Sequence, residues 1–296
     1  MKEYISVDIG GTFIKHGVIR DDGIIISKGQ SKTHAEQGGK ALLENVKTII
    51  EHYLTDNKPE GICISTAGII DPIRGEVLHA NPNIPNYKGT KIKEEIESAF
   101  KIPCEVENDV NCAGLAEYIS GAAKGASVAL CLTIGTGIGG CVLIDGKVFH
   151  GFSNSACEIG YMHMGDSNFE NLGASSRLVS KVATRKGDKE EEWNGYRVFE
   201  AAKNQDKIAI QAIDEMVDTL GLGIANICYV INPEVVVLGG GIMAQEDFLR
   251  DKLEKSLSKY LIPYVRGATR LEFAKHQNDA GLLGAYYNFK QRHSSN

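Results

Sequence analysis

The sequence lacks any apolar run approaching 18 residues, and its first residues, Met-Lys-Glu-Tyr, lack the apolar segment of a secretory signal. A membrane-spanning helix needs about 20 consecutive apolar residues, and a signal peptide needs an apolar core of about 7 to 15. The absence of both predicts a cytoplasmic protein with no membrane partner.

The chain also lacks the cysteine spacing of a disulfide framework or a zinc site. It has 7 cysteines, an odd number, and no C-x-x-C pair. Cys63, Cys131 and Cys141 lie within apolar strand-like runs, which is typical of reduced core cysteines. The net charge of −6 leaves no basic stripe, so we expect no nucleic-acid partner.

Two common nucleotide-binding loops are missing as well. The sequence contains no G-x-x-x-x-G-K-[ST], and its two glycine hairpins are not dinucleotide fingerprints, because each is followed by a strand and not by a helix. The hairpins are D-I-G-G-T at 8–12 and T-I-G-T-G-I-G-G at 133–140, each between two apolar strand-like runs. Glycine permits positive φ and lets backbone N–H groups approach an anion closely. The hairpins therefore predict two phosphate cradles, and E-V-V-V-L-G-G-G at 234–241 ends a further strand in three glycines.

The rest of the pattern predicts the same α/β unit twice. In the first half we expect three strands within 2–29, a helix at 40–54, a strand at 61–68, a loop at 71–89, a helix from Thr90 to about Phe100, and a strand entering a helix at Asn108–Asp109. In the second half we expect strand, turn and strand at 127–149, helical stretches at about 171–186 and 198–231, a strand at 234–238, a helix at about 246–261, a strand at 270–274 and a C-terminal helix. A duplicated unit with a nucleotide between its copies is the simplest architecture that uses both hairpins.

Asp109, at this helix start, has two interpretations. It is a good N-cap residue, which needs no chemistry. It is equally suited to be a general base, because a carboxylate in a first helical turn stays ionised and accepts a hydroxyl proton. The residues alone leave both open.

Five ordered motifs resemble the ROK family of sugar kinases and repressors. They are D-I-G-G-T at 8–12 with Lys15, E-N-D at 107–109, G-T-G-I-G-G at 135–140 followed by I-D-G-K-V at 144–148, E-I-G at 158–160, and N-P-E-V-V-V-L-G-G-G at 232–241, and the match ends with A-G-L-L-G at 280–284. The resemblance implies an α/β, duplicated actin-like (ribonuclease H-like) ATPase fold, in two lobes with ATP and a sugar in the cleft. It implies an N-terminal lobe of 1–118 plus 284–296 with the sugar site and the base, and a C-terminal lobe of 119–283 with the nucleotide site and a dimer interface.

The same resemblance implies roles for single residues. Asp109 would be the catalytic base. The nucleotide and its phosphates would contact Asp8, Gly10, Gly11, Thr12, Lys15, Thr133, Gly135, Thr136, Gly137 and Gly240. The sugar would contact Ala67, Gly68, Asn83, Asn108, Glu158 and Tyr161. Asp8 would hold water bound to the Mg²⁺ ion that ATP carries, the alternative being an aspartate that only forms the turn.

Two departures from the family pattern bear on metal and substrate. Many members carry Glu-x-Gly-His and a downstream cysteine cluster that bind a structural zinc, whereas here Tyr161 replaces the histidine and 162–176 contains no cysteine. His163 alone cannot build a four-ligand site, so we expect no zinc. The departures resemble the family's β-glucoside kinases, and Glu170 is the candidate counterpart of a sugar-site glutamate in other members. The second departure, Cys141 where a third glycine is common, leaves the turn intact.

The predicted activity is therefore transfer of the γ-phosphoryl group of ATP to a primary hydroxyl, the 6-OH of a glucose-type sugar or β-glucoside. An N-acylhexosamine, N-acetylmannosamine or N-acetylglucosamine, stays open as the substrate. A repressor of the family would carry a helix-turn-helix before D-I-G-G-T, which begins here at residue 8. An actin-like structural or chaperone ATPase would not need E-N-D beside N-P-N at 81–83. We expect a homodimer.

Overall fold

The computed structural model describes residues 1–80 and 82–294. Asn81, the first residue of the N-P-N motif, lies outside the described residues. The chain forms two compact units. The first comprises 1–119, 150–156 and the segment that starts at Asn278, and the second comprises 120–149 and 157–277. The assignment of 150–156 to the first unit was not predicted.

The strands of the first unit are β1 (Glu3–Ile9), β2 (Phe13–Arg20), β3 (Ile25–Lys32), β4 (Gly61–Thr66), β5 (Ile69–Asp71), β6 (Glu76–His79) and β7 (Cys104–Asn108). Five of them form a sheet in the order β3-β2-β1-β4-β7. In this sheet β1, β4 and β7 are parallel, and β2 and β3 are antiparallel to their neighbours. The helices of this unit are α1 (Gly38–Leu54), α2 (Ile92–Phe100) and α3 (Asp109–Ser120).

The strands of the second unit are β8 (Val128–Ile134), β9 (Ile138–Ile144), β10 (Lys147–Val148), β11 (His163–Met164), β12 (Ser167–Asn168), β13 (Val235–Gly239) and β14 (Arg270–Phe273). Five of them form a sheet of the same topology, in the order β10-β9-β8-β13-β14. Again three strands, β8, β13 and β14, are parallel, and β9 and β10 are antiparallel to their neighbours. The helices of this unit are α4 (Phe169–Gly173), α5 (Ser175–Lys186), α6 (Gly195–Lys203), α7 (Lys207–Ile231), α8 (Glu246–Tyr260) and α9 (Pro263–Ala268). The predicted duplication is confirmed.

The last helix, α10 (Ala280–His293), belongs to the first unit. Alternation along β1 sends Ile5 and Val7 into the core formed with α1, whereas Tyr4 packs with Leu282 of α10. Ser6 Oγ, on the Tyr4 face, donates a hydrogen bond of 2.8 Å to the carbonyl of Leu282. Residue 8 therefore also lies on the face of β1 that α10 covers.

The predicted loop at 71–89 was wrong in its first part, which contains the hairpin of β5 and β6. Asp71 Oδ1 accepts hydrogen bonds from the N–H groups of Ile73 and Arg74, at 2.9 and 3.0 Å, and so forms the turn. Val77 is fully buried and gives the second strand an apolar face. The proline at 72 lies in the turn between the two strands, where it does not interrupt their pairing. The proline content of 71–89 was therefore not sufficient to predict a loop over the whole segment.

The two predicted helical stretches of the second unit are each interrupted. Ala174, in an extended conformation, separates α4 from α5. Gln205 has a φ of 66°, and Asp206 caps α7 by accepting the N–H of Ala209. Apolar residues continue at helical spacing across both interruptions, so the sequence pattern did not predict where one helix ends and the next begins.

The predicted core cysteines are buried: Cys63 and Cys141 are fully inaccessible, and Cys131 nearly so. All 7 cysteines, each within the described chain, are free. No helix in the described part of the chain is long and apolar enough to span a membrane.

Candidate active site

The carboxyl ends of three neighbouring parallel strands bring the predicted residues of the first unit together. In the register of the sheet, Asp8 of β1 lies beside Ser65 of β4, and Thr66 lies beside Asn108 of β7. The residues that directly follow these strand ends, 67–68 and Asp109, therefore lie at the same edge of the sheet. Such an edge is where open α/β sheets bind ligands.

Asp8 is held on the α10 face of the sheet. Its Oδ1 accepts a hydrogen bond of 2.6 Å from Ser65 Oγ, and its carboxylate fills the space that a Cβ at Gly281 would need. Burial raises the pKa of Asp8, opposed by the Ser65 hydrogen bond and the charge of Lys15. A cation beside this carboxylate would offset the cost of its burial.

Lys15 lies directly across from Asp8 on β2. Its Nζ donates to the carbonyl and to Oδ1 of Asn278, at 3.1 and 3.3 Å. The ammonium is thus bound to the segment that precedes α10, and its contact with a phosphate stays a prediction.

The N-cap of α3 is Asn108, so the N-cap interpretation of Asp109 was wrong. Asn108 Oδ1 accepts the N–H groups of Val110 and Asn111, at 2.8 and 3.0 Å. Asp109 is the first residue of the helix, and its Oδ1 accepts the Val110 N–H at 2.9 Å. Both residues are good capping residues by type, and the pattern could not rank them.

Asn108 also joins the β4–β5 turn to the predicted base. Its Nδ2 donates to the carbonyl of Gly68 at 2.9 Å and to Asp109 Oδ1 at 3.0 Å. Gly68 has a φ of 105°, and an added Cβ would overlap the carbonyl of His79. Three of the predicted residues, Gly68, Asn108 and Asp109, therefore form one hydrogen-bonded group, and Ala67 is adjacent in the chain.

No role was predicted for Glu107, which forms hydrogen bonds to residues of this group and of the first turn of α3. It is 1% exposed, and its carboxylate accepts hydrogen bonds from the Asn108 N–H (2.8 Å) and Asn111 Nδ2 (3.0 Å) and pairs with His150 Nε2 (2.8 Å). These partners fix the junction of β7 and α3. The position of Glu107 directly before Asn108 and Asp109 was a signal for it, but nothing in the sequence indicated His150.

A buried threonine holds the first glycine hairpin by its carbonyl groups. Thr33, 1% exposed, donates its N–H to the carbonyl of Thr12 at 3.0 Å and its Oγ1 to the carbonyl of Gly10 at 2.6 Å. Carbonyls bound in this way are turned away from any anion at the hairpin. An added Cβ at Gly11 would meet no described atom within 4 Å beyond its chain neighbours, so space inside the protein does not require glycine there.

A serine does the same for the second hairpin. Ser176 of α5 donates its N–H to the carbonyl of Gly135 at 3.4 Å and its Oγ to the carbonyl of Thr136 at 2.6 Å. The Gly135 N–H binds the carbonyl of Gly137 at 2.9 Å. An added Cβ at Gly135 would likewise meet no described atom within 4 Å beyond its chain neighbours. We call Thr33 and Ser176 the hydroxyl clamps.

The proposed use of positive φ in the hairpins was wrong. Within the described chain, no glycine of 8–12 or 133–140 has a positive φ. An added Cβ at Gly10, Gly137 or Gly140 would come within 3 Å of another part of the protein, so close approach to a ligand is the remaining reason for glycine at Gly11 and Gly135. Gly240, by contrast, has a φ of 105°, and an added Cβ would overlap the carbonyl of Ile134. Gly239 pairs with Thr133, and the predicted nucleotide residues of the second unit thereby meet at one sheet edge.

The other predicted sugar residues lie in less regular segments. Glu158, which is exposed, precedes the 3₁₀ turn Ile159–Tyr161, and the Tyr161 side chain is 63% exposed. Asn83 is exposed between β6 and α2. Their contacts with a sugar stay predictions.

No group of three or more His, Cys, Asp or Glu side chains in the described chain could hold a metal ion. His163 is exposed on β11. The expectation that the protein binds no zinc stays a prediction.

Two units with the same strand order, each with a glycine hairpin at its first turn, define the duplicated actin-like ATPase fold. The structure of a ROK family glucokinase from Streptomyces griseus, in complex with glucose and AMPPNP, superposes with a TM-score of 0.84 at 27% identity, over 96% of this chain and 97% of that one. The chain belongs to the ROK family, which it matches over residues 4–292.

Two relatives span nearly the whole chain. An uncharacterized protein of Clostridium perfringens is 50% identical over 288 residues, which cover 97% of this chain and 98% of the relative. A β-glucoside kinase of Listeria innocua is 31% identical over 295 residues, covering 97% of each.

Proposed function

We propose that this protein is a sugar kinase that transfers the γ-phosphoryl group of ATP to a primary hydroxyl, the 6-OH of a glucose-type sugar or β-glucoside. The observation that carries the proposal is the construction of the two hairpins. In each, a hydroxyl clamp binds two carbonyls, and one glycine, Gly11 or Gly135, is required neither by φ nor by contact with any described residue. A bound phosphate accounts for both features, since it needs N–H groups and excludes carbonyl oxygens and Cβ atoms.

Asp109 is the general base of this proposal. The sugar hydroxyl oxygen forms a bond to the γ-phosphorus, its proton passes to the Asp109 carboxylate, and the bond from the γ-phosphorus to the bridging oxygen breaks to release ADP. The hydrogen bonds that Asp109 Oδ1 accepts from Val110 N and Asn108 Nδ2 fix the orientation of the carboxylate. Positioning and charge stabilisation supply most of the catalysis in such transfers.

Asp8 is the residue best placed to hold the Mg²⁺ ion of ATP, through water. Its half-buried carboxylate has one oxygen hydrogen-bonded to Ser65, and a hard cation with oxygen ligands suits such a group. Bound Mg²⁺ supplies charge neutralisation on the β- and γ-phosphates.

The choice of sugar rests on the relatives and on Tyr161. The relatives include a β-glucoside kinase and a glucokinase crystallised with glucose, and the exposed Tyr161 replaces the histidine of zinc-binding members. N-acetylmannosamine and N-acetylglucosamine remain the alternative substrates. A panel of glucose, an aryl β-glucoside, a β-linked disaccharide and both N-acetylhexosamines in a coupled ADP assay ranks them by kcat/KM.

The direct test of the function is sugar-stimulated ADP release by the wild type and by Asp109→Asn. The amide cannot take a proton but can still accept the Val110 N–H, so we expect an unchanged melting temperature and a kcat lower by about 10²- to 10⁴-fold. Asp71→Asn is the matched control, because Asp71 also accepts backbone N–H groups in a turn. A kcat for Asp109→Asn within tenfold of the wild type, at unchanged stability, would show that Asp109 is not the base.

We further infer a cytoplasmic homodimer whose interface lies in the second unit. Sedimentation equilibrium of the purified protein measures its mass directly, and a monomer at micromolar concentration would contradict the inference.

A further inference from the structure

Glu170 lies in the first turn of α4 and reaches the second glycine hairpin. Its Oε2 accepts the N–H of Ile138 at 3.1 Å. An added Cβ at Gly137 would overlap this carboxylate, and one at Gly160 would lie 3.3 Å from Oε2. Glu170 thus contacts both the hairpin and the turn Ile159–Tyr161.

The hydrogen bond to Ile138 completes the fixation of one peptide group. The carbonyl of Gly137 is bound by the Gly135 N–H at 2.9 Å, and the N–H of the same peptide, that of Ile138, is bound by Glu170. With both ends held, this peptide group keeps one orientation. It anchors one end of the turn, whose two preceding peptide groups, which carry the N–H groups of Thr136 and Gly137, are bound at their carbonyls by Ser176. Preorganised donors of this kind bind an anion without the cost of ordering them.

Gly160 connects this arrangement to the predicted sugar segment. It lies between Glu158 and Tyr161, and a Cβ there would overlap the carbonyl of Ile138 as well as approach Glu170. The backbones of the hairpin and of the segment are therefore in close contact at the point where Glu170 binds.

We propose that Glu170 is a positioning residue, which holds the phosphate hairpin in its binding conformation and links it to the segment 158–161. This inference rests on the proposed kinase function. It differs from a role of Glu170 as a sugar ligand, since a positioning residue affects nucleotide binding when no sugar is present, and a sugar ligand does not.

The test compares Glu170→Ala, Glu170→Gln and Glu170→Asp with Asn171→Ala as a control on the same helix. In the free protein, amide hydrogen exchange at Ile138 should accelerate about 10- to 100-fold in Glu170→Ala, the usual loss for a hydrogen bond to a charged group. Glu170→Gln should retain most of the protection, because its amide oxygen still accepts the N–H. Glu170→Asp should lose it, because the shorter side chain cannot reach, and this variant decides the matter if Glu170→Ala does not fold.

Calorimetry with AMPPNP in the absence of sugar is the second measurement. We expect Glu170→Ala and Glu170→Asp to bind AMPPNP about tenfold or more weakly than the wild type, with Glu170→Gln and Asn171→Ala close to it. Unchanged AMPPNP affinity together with a raised KM for sugar would overturn the proposal and make Glu170 a sugar ligand. If the wild type releases no ADP with any sugar, the kinase proposal fails, while the Ile138 exchange rate still tests the positioning role.

Discussion

The Ser176 hydroxyl clamp provides a quantitative test of how the second hairpin binds phosphate. In Ser176→Ala the carbonyl of Thr136 loses the O–H donor that lies 2.6 Å away. Thr136 is exposed, so water can replace the lost donor, and the cost is the net value of one hydrogen bond, about 1 kcal/mol. Since 1.4 kcal/mol corresponds to tenfold in affinity, we expect AMPPNP to bind about fivefold more weakly.

The physical reason is competition between two orientations of one peptide group. Without its clamp, the Thr136 carbonyl turns outward in part of the population, where its oxygen repels the phosphate. Binding must then reverse that rotation. Global stability should change by less than about 1 kcal/mol, because the bond lies at the surface.

Isothermal calorimetry with AMPPNP, without sugar, measures the change. Ser176→Thr keeps the hydroxyl and should bind as the wild type does, and Ser180→Ala, one turn further along α5, controls for loss of a serine on this helix. An affinity for Ser176→Ala within 1.5-fold of the wild type would refute the clamp, and a fall in melting temperature of several degrees would show a structural role instead.

Three further predictions follow from the same geometry. Thr33→Val should raise the KM for ATP about 5- to 100-fold, more than Ser176→Ala does. Because this position is buried, loss of the hydroxyl leaves the Gly10 carbonyl without a hydrogen-bond donor, at a cost of about 1 to 3 kcal/mol. Thr33→Ser keeps the hydroxyl and should restore the KM. Gly240→Ala should lower the free energy of unfolding by about 2 kcal/mol or more, because of its φ of 105° and the overlap with Ile134, and a urea melt equal to that of the wild type would contradict this. Metal analysis of the purified protein should find well under one zinc per chain, and a stoichiometric zinc that survives dialysis would contradict the interpretation of Tyr161.

The sequence predicted the strands and turns of both sheets because their signals are local. Apolar runs flanked by glycine, such as those around 8–12 and 133–140, correspond to β1–β2 and β8–β9. The parallel pairing of β1, β4 and β7 then brings distant residues to one edge, which explains why motifs far apart in the chain could be assigned to one site. Local periodicity was less informative where helices adjoin, as at Ala174 and Asp206.

The supporting role of certain residues could not be predicted, even for Glu170, which was a candidate sugar residue, since these residues act through backbone groups. Thr33, Ser176 and Glu170 bind carbonyl or N–H groups of hairpins that lie between 21 and 41 positions away in the chain, and any residue with a hydroxyl or carboxylate is a candidate for such a bond. His150 is the extreme case, because its partner Glu107 lies 43 positions earlier. Only the folded geometry selects these partners.

The two hydroxyl clamps come from different elements, although the sheets that they serve have the same topology. Thr33 directly follows β3, whereas Ser176 lies in the first turn of α5. Each nevertheless donates one N–H and one O–H to two carbonyls of its hairpin. If holding the carbonyls only stabilised a tight turn, different elements would have little reason to reach the same bonding pattern in both units. A shared demand to keep carbonyl oxygens away from a phosphate supplies that reason, and it predicts that Ser176→Ala weakens nucleotide binding more than it weakens the fold.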